Sequence, residues 1–167
     1  MEYGNFLKEL ICTFVPQKKN DMPYSSQTQE AVALLKRLIA TPSVSRDESA
    51  AADMIVQVLQ EKGVQPQRKG NNVWALSPDF DESRPTILLN AHIDTVKPVG
   101  GWQRDPFTPT IEGDRLYGLG ANDCGGGLVS LLQVFLTLSL RGGVGGELVF
   151  LASAEEEVSG GSGIDNL

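Results

Sequence analysis

Histidine is all but missing from this sequence: His92 is the single one in 167 residues. A site built from several imidazoles is excluded within this chain, so any metal centre here must draw mainly on carboxylates. Only two cysteines occur, Cys12 and Cys124, far apart and in no CxxC pair. That argues against a disulfide framework and a thiolate zinc knuckle, and for a reducing compartment. No Lys/Arg cluster offsets the excess of 21 Asp and Glu over 14 Lys and Arg, a net charge of −7. A grip on a phosphate backbone, and with it a nucleic-acid partner, is not expected. No apolar run nears the ~20 residues of a membrane span. Residues 6–15 are apolar, but Lys8 and Glu9 interrupt them and no basic stretch precedes, so they do not read as a secretory signal. A cytoplasmic protein with no membrane partner is expected. GxSxG is absent too, which removes the usual serine-hydrolase elbow, and there is no internal repeat.

What is present reads as an α/β chain. With 41% hydrophobic and 21% charged residues there is enough apolar material for a core. Residues 1–25 stand outside the pattern that follows and read as an extension, with Met22 as an alternative start to Met1. From Gln27, the apolar positions Ala31, Leu34, Leu35, Leu38 and Ile39 recur at helical spacing until Pro42. Ser45 and Glu48 suggest a capping box ahead of a second helix with the stripe Ala51, Met54, Ile55, Val58 and Leu59, ending at Gly63. Residues 72–76 and 86–90 predict strands, the second (TILLN) an apolar run of the kind buried on both faces. Residues 128–140 are apolar around the whole circumference and predict a buried helix stopped by Gly142 and Gly143, followed by a strand over 147–154. Strands alternating with helices predict a sheet with helices on its faces.

Three clusters of ionisable residues sit at strand ends or before a buried helix, where ligand sites of open α/β sheets form. The first is Ala91-His92-Ile93-Asp94, directly after TILLN. Residues two apart in an extended chain share a face, so Asp94 can hold the imidazole of His92 and leave its other nitrogen outward, as in metal-ligating histidines. By itself an HxD is as readily a buried structural histidine bonded to its neighbour. The second is Asp123 within GLGANDCGGG, a carboxylate delivered from a tight turn before a helix, able to bridge two cations or simply to cap the helix. It is no phosphate cradle, since no Lys-Ser/Thr follows. The third is Glu155-Glu156-Glu157, at the end of the 147–154 strand. Acidic runs are usually solvated, but this one follows a buried strand without a turn, so its charges raise one another's pKa unless a cation sits among them.

HxD, then a glycine-flanked Asp, then Glu-Glu, each at its place along an α/β chain, is far more specific than any one of them. In AHIDTVKPVGGW, RLYGLGANDCGGG and LASAEEEVSG, in that order, residues 27–167 resemble the M20 family of aminoacylases and carboxypeptidases. RKGNNVWA and GWQRDPFTPTIEGDRLYG resemble its acetylornithine deacetylase and succinyl-diaminopimelate desuccinylase branch. The resemblance implies a three-layer α/β/α zinc-exopeptidase-like catalytic domain, with residues 26–167 as its N-terminal part. The lid and dimerisation domain and the C-terminal half of the catalytic domain of full-length relatives have no counterpart here. It further implies two Zn2+ per full-length site, with Co2+ or Mn2+ as substitutes. His92, Asp123 and Glu157 would be metal ligands, Asp123 bridging, and Asp94 and Glu156 the catalytic pair, Asp94 orienting His92 and Glu156 acting as general base. Glu155 holds a place often taken by another acid, and Cys124 has no duty in this scheme.

The activity so implied is hydrolysis of the amide bond of an N-acyl amino acid, as in arginine biosynthesis, with homodimers in full-length relatives. Further ligands that relatives carry, an acid and a distant histidine, are missing, so weak metal binding and low turnover are expected. Three alternatives remain at this point: a dipeptidase or carboxypeptidase with the same metal core, a thiol enzyme pairing Cys124 with His92, and a noncatalytic metal-binding module.

Overall fold

The computed structural model describes residues 25–141 and 145–167. The extension over residues 1–25, with its alternative start, falls almost wholly outside them, as do Gly142 and Gly143. Helix α1 (Ser26–Ile39) starts where the Ser25 hydroxyl accepts the Thr28 N–H, and it buries Leu34, Leu35 and Ile39, the expected stripe. Helix α2 (Ser49–Glu61) buries Ala51, Ala52, Ile55, Val58 and Leu59. Its expected capping box does not form. Glu48, fully buried, is the N-cap, and its carboxylate accepts the Arg46 N–H at 2.5 Å and the Asn71 amide at 2.8 Å. The helix begins four residues beyond Ser45, too far for its oxygen to accept a first-turn N–H, and the Ser45 hydroxyl donates to Asp94 instead.

Strands β1 (Gln67–Lys69), β2 (Asn72–Leu76), β3 (Thr86–His92) and β6 (Glu147–Ser153) form a mixed sheet in the order β1-β2-β6-β3. β2 pairs antiparallel with β6, and β3 pairs parallel with it, Ala91 opposite Ala152 and His92 opposite Ser153. A short hairpin, β4 (Thr110–Glu112) and β5 (Arg115–Tyr117), stands apart from this sheet. The sequence reading passes over β1, β4 and β5, three-residue strands too short to show an alternation.

Helix α3 (Gly126–Arg141) lies on the sheet and buries Leu128, Val129, Leu132, Phe135 and Leu136, with Phe135 against Phe150 at 5.9 Å between ring centroids. All three helices share one core with Val73, Ala75, Ala91, Leu148, Phe150 and Ala152. In the strand register these side chains lie on one face of the sheet. The alternate set is more open: Trp74 and Val149 are half-buried, Leu88 and Asn90 exposed. The α/β fold is as expected, and the described residues supply the helix layer on one of its two faces.

The reading of TILLN as doubly buried needs correction. Among the described residues β3 is the outer strand, paired only with β6, and Ile87 and Leu88 are 53% and 51% exposed. An apolar run records what a strand is suited to bury, whereas its exposure depends on which elements are present to cover it. β6, by contrast, is interior, with six of its seven residues buried. Among the described residues no helix is long and apolar enough to cross a membrane.

Candidate metal centre

β3 and β6 run parallel side by side, so their carboxyl ends open at the same edge of the sheet. His92 is the last residue of β3, and the Glu155-Glu156-Glu157 run begins two residues after β6 ends. The loop before α3 brings in Asp123. Gly120, at φ +73°, permits the turn, and a Cβ there would lie 2.7 Å from Thr95 Cγ2. Beyond it Asp123 and Cys124 leave helical geometry before α3 begins.

His92 is 8% exposed. Its Nδ1 lies 2.9 Å from the main-chain carbonyl of Asp94 and 3.4 Å from Oδ1 of the same residue. Both groups of Asp94 thus face the same ring nitrogen, the carbonyl in closer contact than the carboxylate. Nε2 faces outward, 3.0 Å from Asp123 Oδ1 and 3.8 Å from Glu156 Oε2. The carboxylates of Asp123 and Glu156 are largely exposed, their side chains 80% and 61% accessible. Ligand atoms of His92, Glu156 and Glu157 all lie within 4.8 Å of one another, and so do those of His92, Asp123 and Cys124. The imidazole is thus the shared member of two donor groups.

Asp94 is the buried hub beneath them. Oδ2 accepts the Ser45 hydroxyl at 2.7 Å and the Glu157 N–H at 3.1 Å, and Oδ1 accepts the Glu156 N–H at 3.1 Å. Burial alone would raise its pKa, but the bonds from His92, Ser45, Glu157 and Glu156 outweigh it and hold the carboxyl at about 2. The Asp94 carboxylate in turn raises His92 to about 9, against the opposing effect of burial and with a further contribution from Asp123. Glu157 is shifted upward, first by burial and then by the charges of Asp123, Asp94 and Glu156.

Two positions that the sequence reading did not assign to the site hold this edge in place. Asn72, fully buried at the start of β2, accepts the Ala154 N–H at 3.0 Å and donates to the Ser162 carbonyl at 2.7 Å. Ser45 clamps Asp94 from 49 residues away. Neither carries a local signal, since each acts through a partner remote in sequence. Glu155 belongs to neither donor group. At φ +55° it turns aside, 3.9 Å from Arg46 and accepting the Ser162 N–H at 3.4 Å.

The donor set fits a divalent cation. One buried imidazole already has its other nitrogen held by Asp94, and burial, with the neighbouring carboxylates adding to it, shifts Glu157 upward, the direction that a cation would reverse. Residues 88–167 match the family model described as Peptidase family M20/M25/M40. The chain is 31% identical to the succinyl-diaminopimelate desuccinylase of Anaplasma marginale (strain Florida), over 77% of this chain and 34% of the relative. It is also 31% identical to the acetylornithine deacetylase of Edwardsiella ictaluri (strain 93-146), over 81% of this chain and 38% of the relative. Among solved structures it superposes on the M20 family metallo-carboxypeptidase Sso-CP2 from Sulfolobus solfataricus with a TM-score of 0.66 and 27% identity, covering 77% of this chain and 31% of that one. The chain spans about a third of the length of the curated relatives it matches. Motif order, fold and relatives agree in likening this chain to the M20/M25/M40 peptidase family, whose model residues 88–167 match.

Proposed function

We propose that this chain carries the metal-binding edge of an amidohydrolase that cleaves the amide bond of N-acyl amino acids, in the manner of an acetylornithine deacetylase and in the cytoplasm. The observation behind this reading is the meeting of His92, Asp123, Glu156 and Glu157 at the carboxyl ends of two adjacent parallel strands. His92, Asp123 and Glu157 would hold divalent ions, two Zn2+ in a full-length site, with Co2+ or Mn2+ as substitutes. Such an ion supplies Lewis-acid polarisation of the scissile carbonyl and lowers the pKa of attacking water toward ~7.

The protein's own part is proton transfer and orientation. Glu156 is exposed and points its carboxylate toward His92, which suits a base that takes a proton from water and returns it to the leaving amine. Asp94 is a positioning residue: it fixes the imidazole and, through two backbone N–H groups, the segment that bears Glu156 and Glu157. A second reading, peptide hydrolysis by a dipeptidase or carboxypeptidase, is favoured by the likeness to the Sulfolobus carboxypeptidase. Full-length relatives are expected to act as homodimers, with a small acylated amino acid or short peptide as the only other partner.

The experiment is amine release from N-acetylornithine, N-succinyl-diaminopimelate and a set of dipeptides, by the chain supplied with zinc or cobalt. Chelator-sensitive turnover of an acylated amino acid is expected. Preferential cleavage of dipeptides would support the second reading. Activity that survives a chelator but is lost on thiol alkylation would replace both with Cys124 chemistry.

A further inference from the structure

The imidazole of His92 is shared by two donor groups, and one of them contains a sulfur atom with no role in the reading above. Cys124 is a free, half-buried thiol. Its Sγ, a carboxylate oxygen of Asp123 and a ring nitrogen of His92 all lie within 4.8 Å of one another, from which small side-chain movements bring them to the ~3.3–3.8 Å that separates donors around one tetrahedral cation at bond lengths of ~2.0–2.3 Å. Two consecutive residues reach the same imidazole because the backbone at Asp123 and Cys124 departs from helical geometry, with φ near −115° and −119°. A regular helix would fan them about 100° apart.

The surroundings leave room for the sulfur. A Cβ on Gly127 would stand 3.0 Å from Cys124 Sγ, so a side chain there would crowd it. Cys124, His92, Asp94 and Thr95 also line one small cavity of about 20 Å3. On its wall Thr95 brings a buried hydroxyl that has no hydrogen-bond partner. The sulfur is therefore set against a polar pocket beside the imidazole as well as against the apolar base of α3.

We propose that Cys124 is a ligand of the cation held by His92 and Asp123, making a nitrogen, oxygen and sulfur triad at this edge of the sheet. The inference rests on the metal-site reading above and alters it in one respect: one ion gains a third protein donor from within the chain. Three protein ligands plus an open position is the composition of a catalytic zinc site. A thiolate among them selects thiophilic ions such as zinc and cadmium, and disfavours magnesium and manganese.

Cobalt separates the two claims, because its visible d–d bands report that it is bound while a near-ultraviolet thiolate-to-cobalt band reports a sulfur ligand. Titration of the whole chain with cobalt chloride should give both signals. Cys124→Ser should keep the d–d bands with the charge-transfer band lost, and Cys12→Ser should keep both, which assigns the sulfur even if the Cys124 variant folds poorly. Visible bands in the wild-type chain without the near-ultraviolet band would overturn the sulfur ligand and leave the metal site standing. So would a charge-transfer band that persists in Cys124→Ser or disappears in Cys12→Ser. Absence of every cobalt signal would sink the metal site itself, and this inference with it.

Discussion

Oδ2 of Asp94 accepts the backbone N–H of Glu157 at 3.1 Å across 63 residues of sequence. Through this bond and its companion to Glu156, one buried carboxylate sets both the orientation of His92 and the position of the acidic run opposite it. The two halves of the site are thus not independent, and a change at Asp94 should move both.

Replacing Asp94 by Asn keeps the size but offers one acceptor where three donors now converge. The Glu156 N–H or the Glu157 N–H, according to which way the amide is turned, then loses its partner, at a cost of about 1–3 kcal/mol. Zinc affinity should fall by about 10–100-fold, the usual effect of losing the partner that orients a ligating histidine. Urea unfolding and zinc titration of Asp94→Asn measure the two effects separately. Unchanged affinity would show that the main-chain carbonyl alone orients the ring.

Proton competition follows from the shift of His92 to about 9. At pH 7 the imidazole of the metal-free protein carries a proton that a cation must displace. Zinc binding should release about one proton from His92, and a second from the Cys124 thiol where it ligates, so affinity should rise about tenfold per pH unit for each proton released. Calorimetry in buffers of different ionisation enthalpy counts the protons directly.

The same shifts fix the acid and alkaline limits of the metal-free fold. Because the folded pKa of His92 lies above the ordinary 6.5, its contribution is complete below pH 6.5 and is lost as pH rises toward 9. Asp94 is depressed from 3.8 to about 2, so its contribution is complete above pH 4 and is lost as pH falls toward 2. Melting temperature without metal should therefore be highest between about pH 4 and 6.5 as far as these two groups determine it, and zinc should extend stability to higher pH.

At Gly120 a side chain is opposed twice, by φ +73° and by Thr95 Cγ2 at 2.7 Å from the added Cβ. Gly120→Ala should destabilise by roughly 1–3 kcal/mol and weaken zinc binding by displacing Asp123. Gly100, with open space around it, is the control: Gly100→Ala should leave both unchanged.

Among the described residues, no strand pairs with the outer edge of β3 beside Ile87 and Leu88, both about half exposed. Edges of this kind invite association. Leu88→Lys, which sets a charge on the open face away from the core, should lower the apparent mass in sedimentation at high protein concentration without lowering the unfolding midpoint.

The sequence reading reaches the three helices α1, α2 and α3, the interior strand β6 and the identity of the clustered residues, because each leaves a local mark. Apolar spacing gives the helices, an unbroken apolar run gives β6, and a carboxylate directly beyond a buried strand marks the site. What it misses is decided at a distance. Ser45 looks like a helix cap but spends its hydroxyl on Asp94, and Glu48 takes the cap position itself. Asn72 looks like an ordinary strand start, yet it fastens the loop beyond β6 from 82 residues away. TILLN looks interior, but only β6 lies beside it. Cys124 looks idle until the turn after Gly120 places its sulfur near His92.

Zinc titration of the wild-type chain against His92→Ala, with circular dichroism to confirm that the variant is folded, addresses the central claim most directly. Saturable binding by the wild type and at least a hundredfold loss in the variant is the predicted result. Equal isotherms for the two proteins, or no heat from the wild type at millimolar zinc, would contradict it.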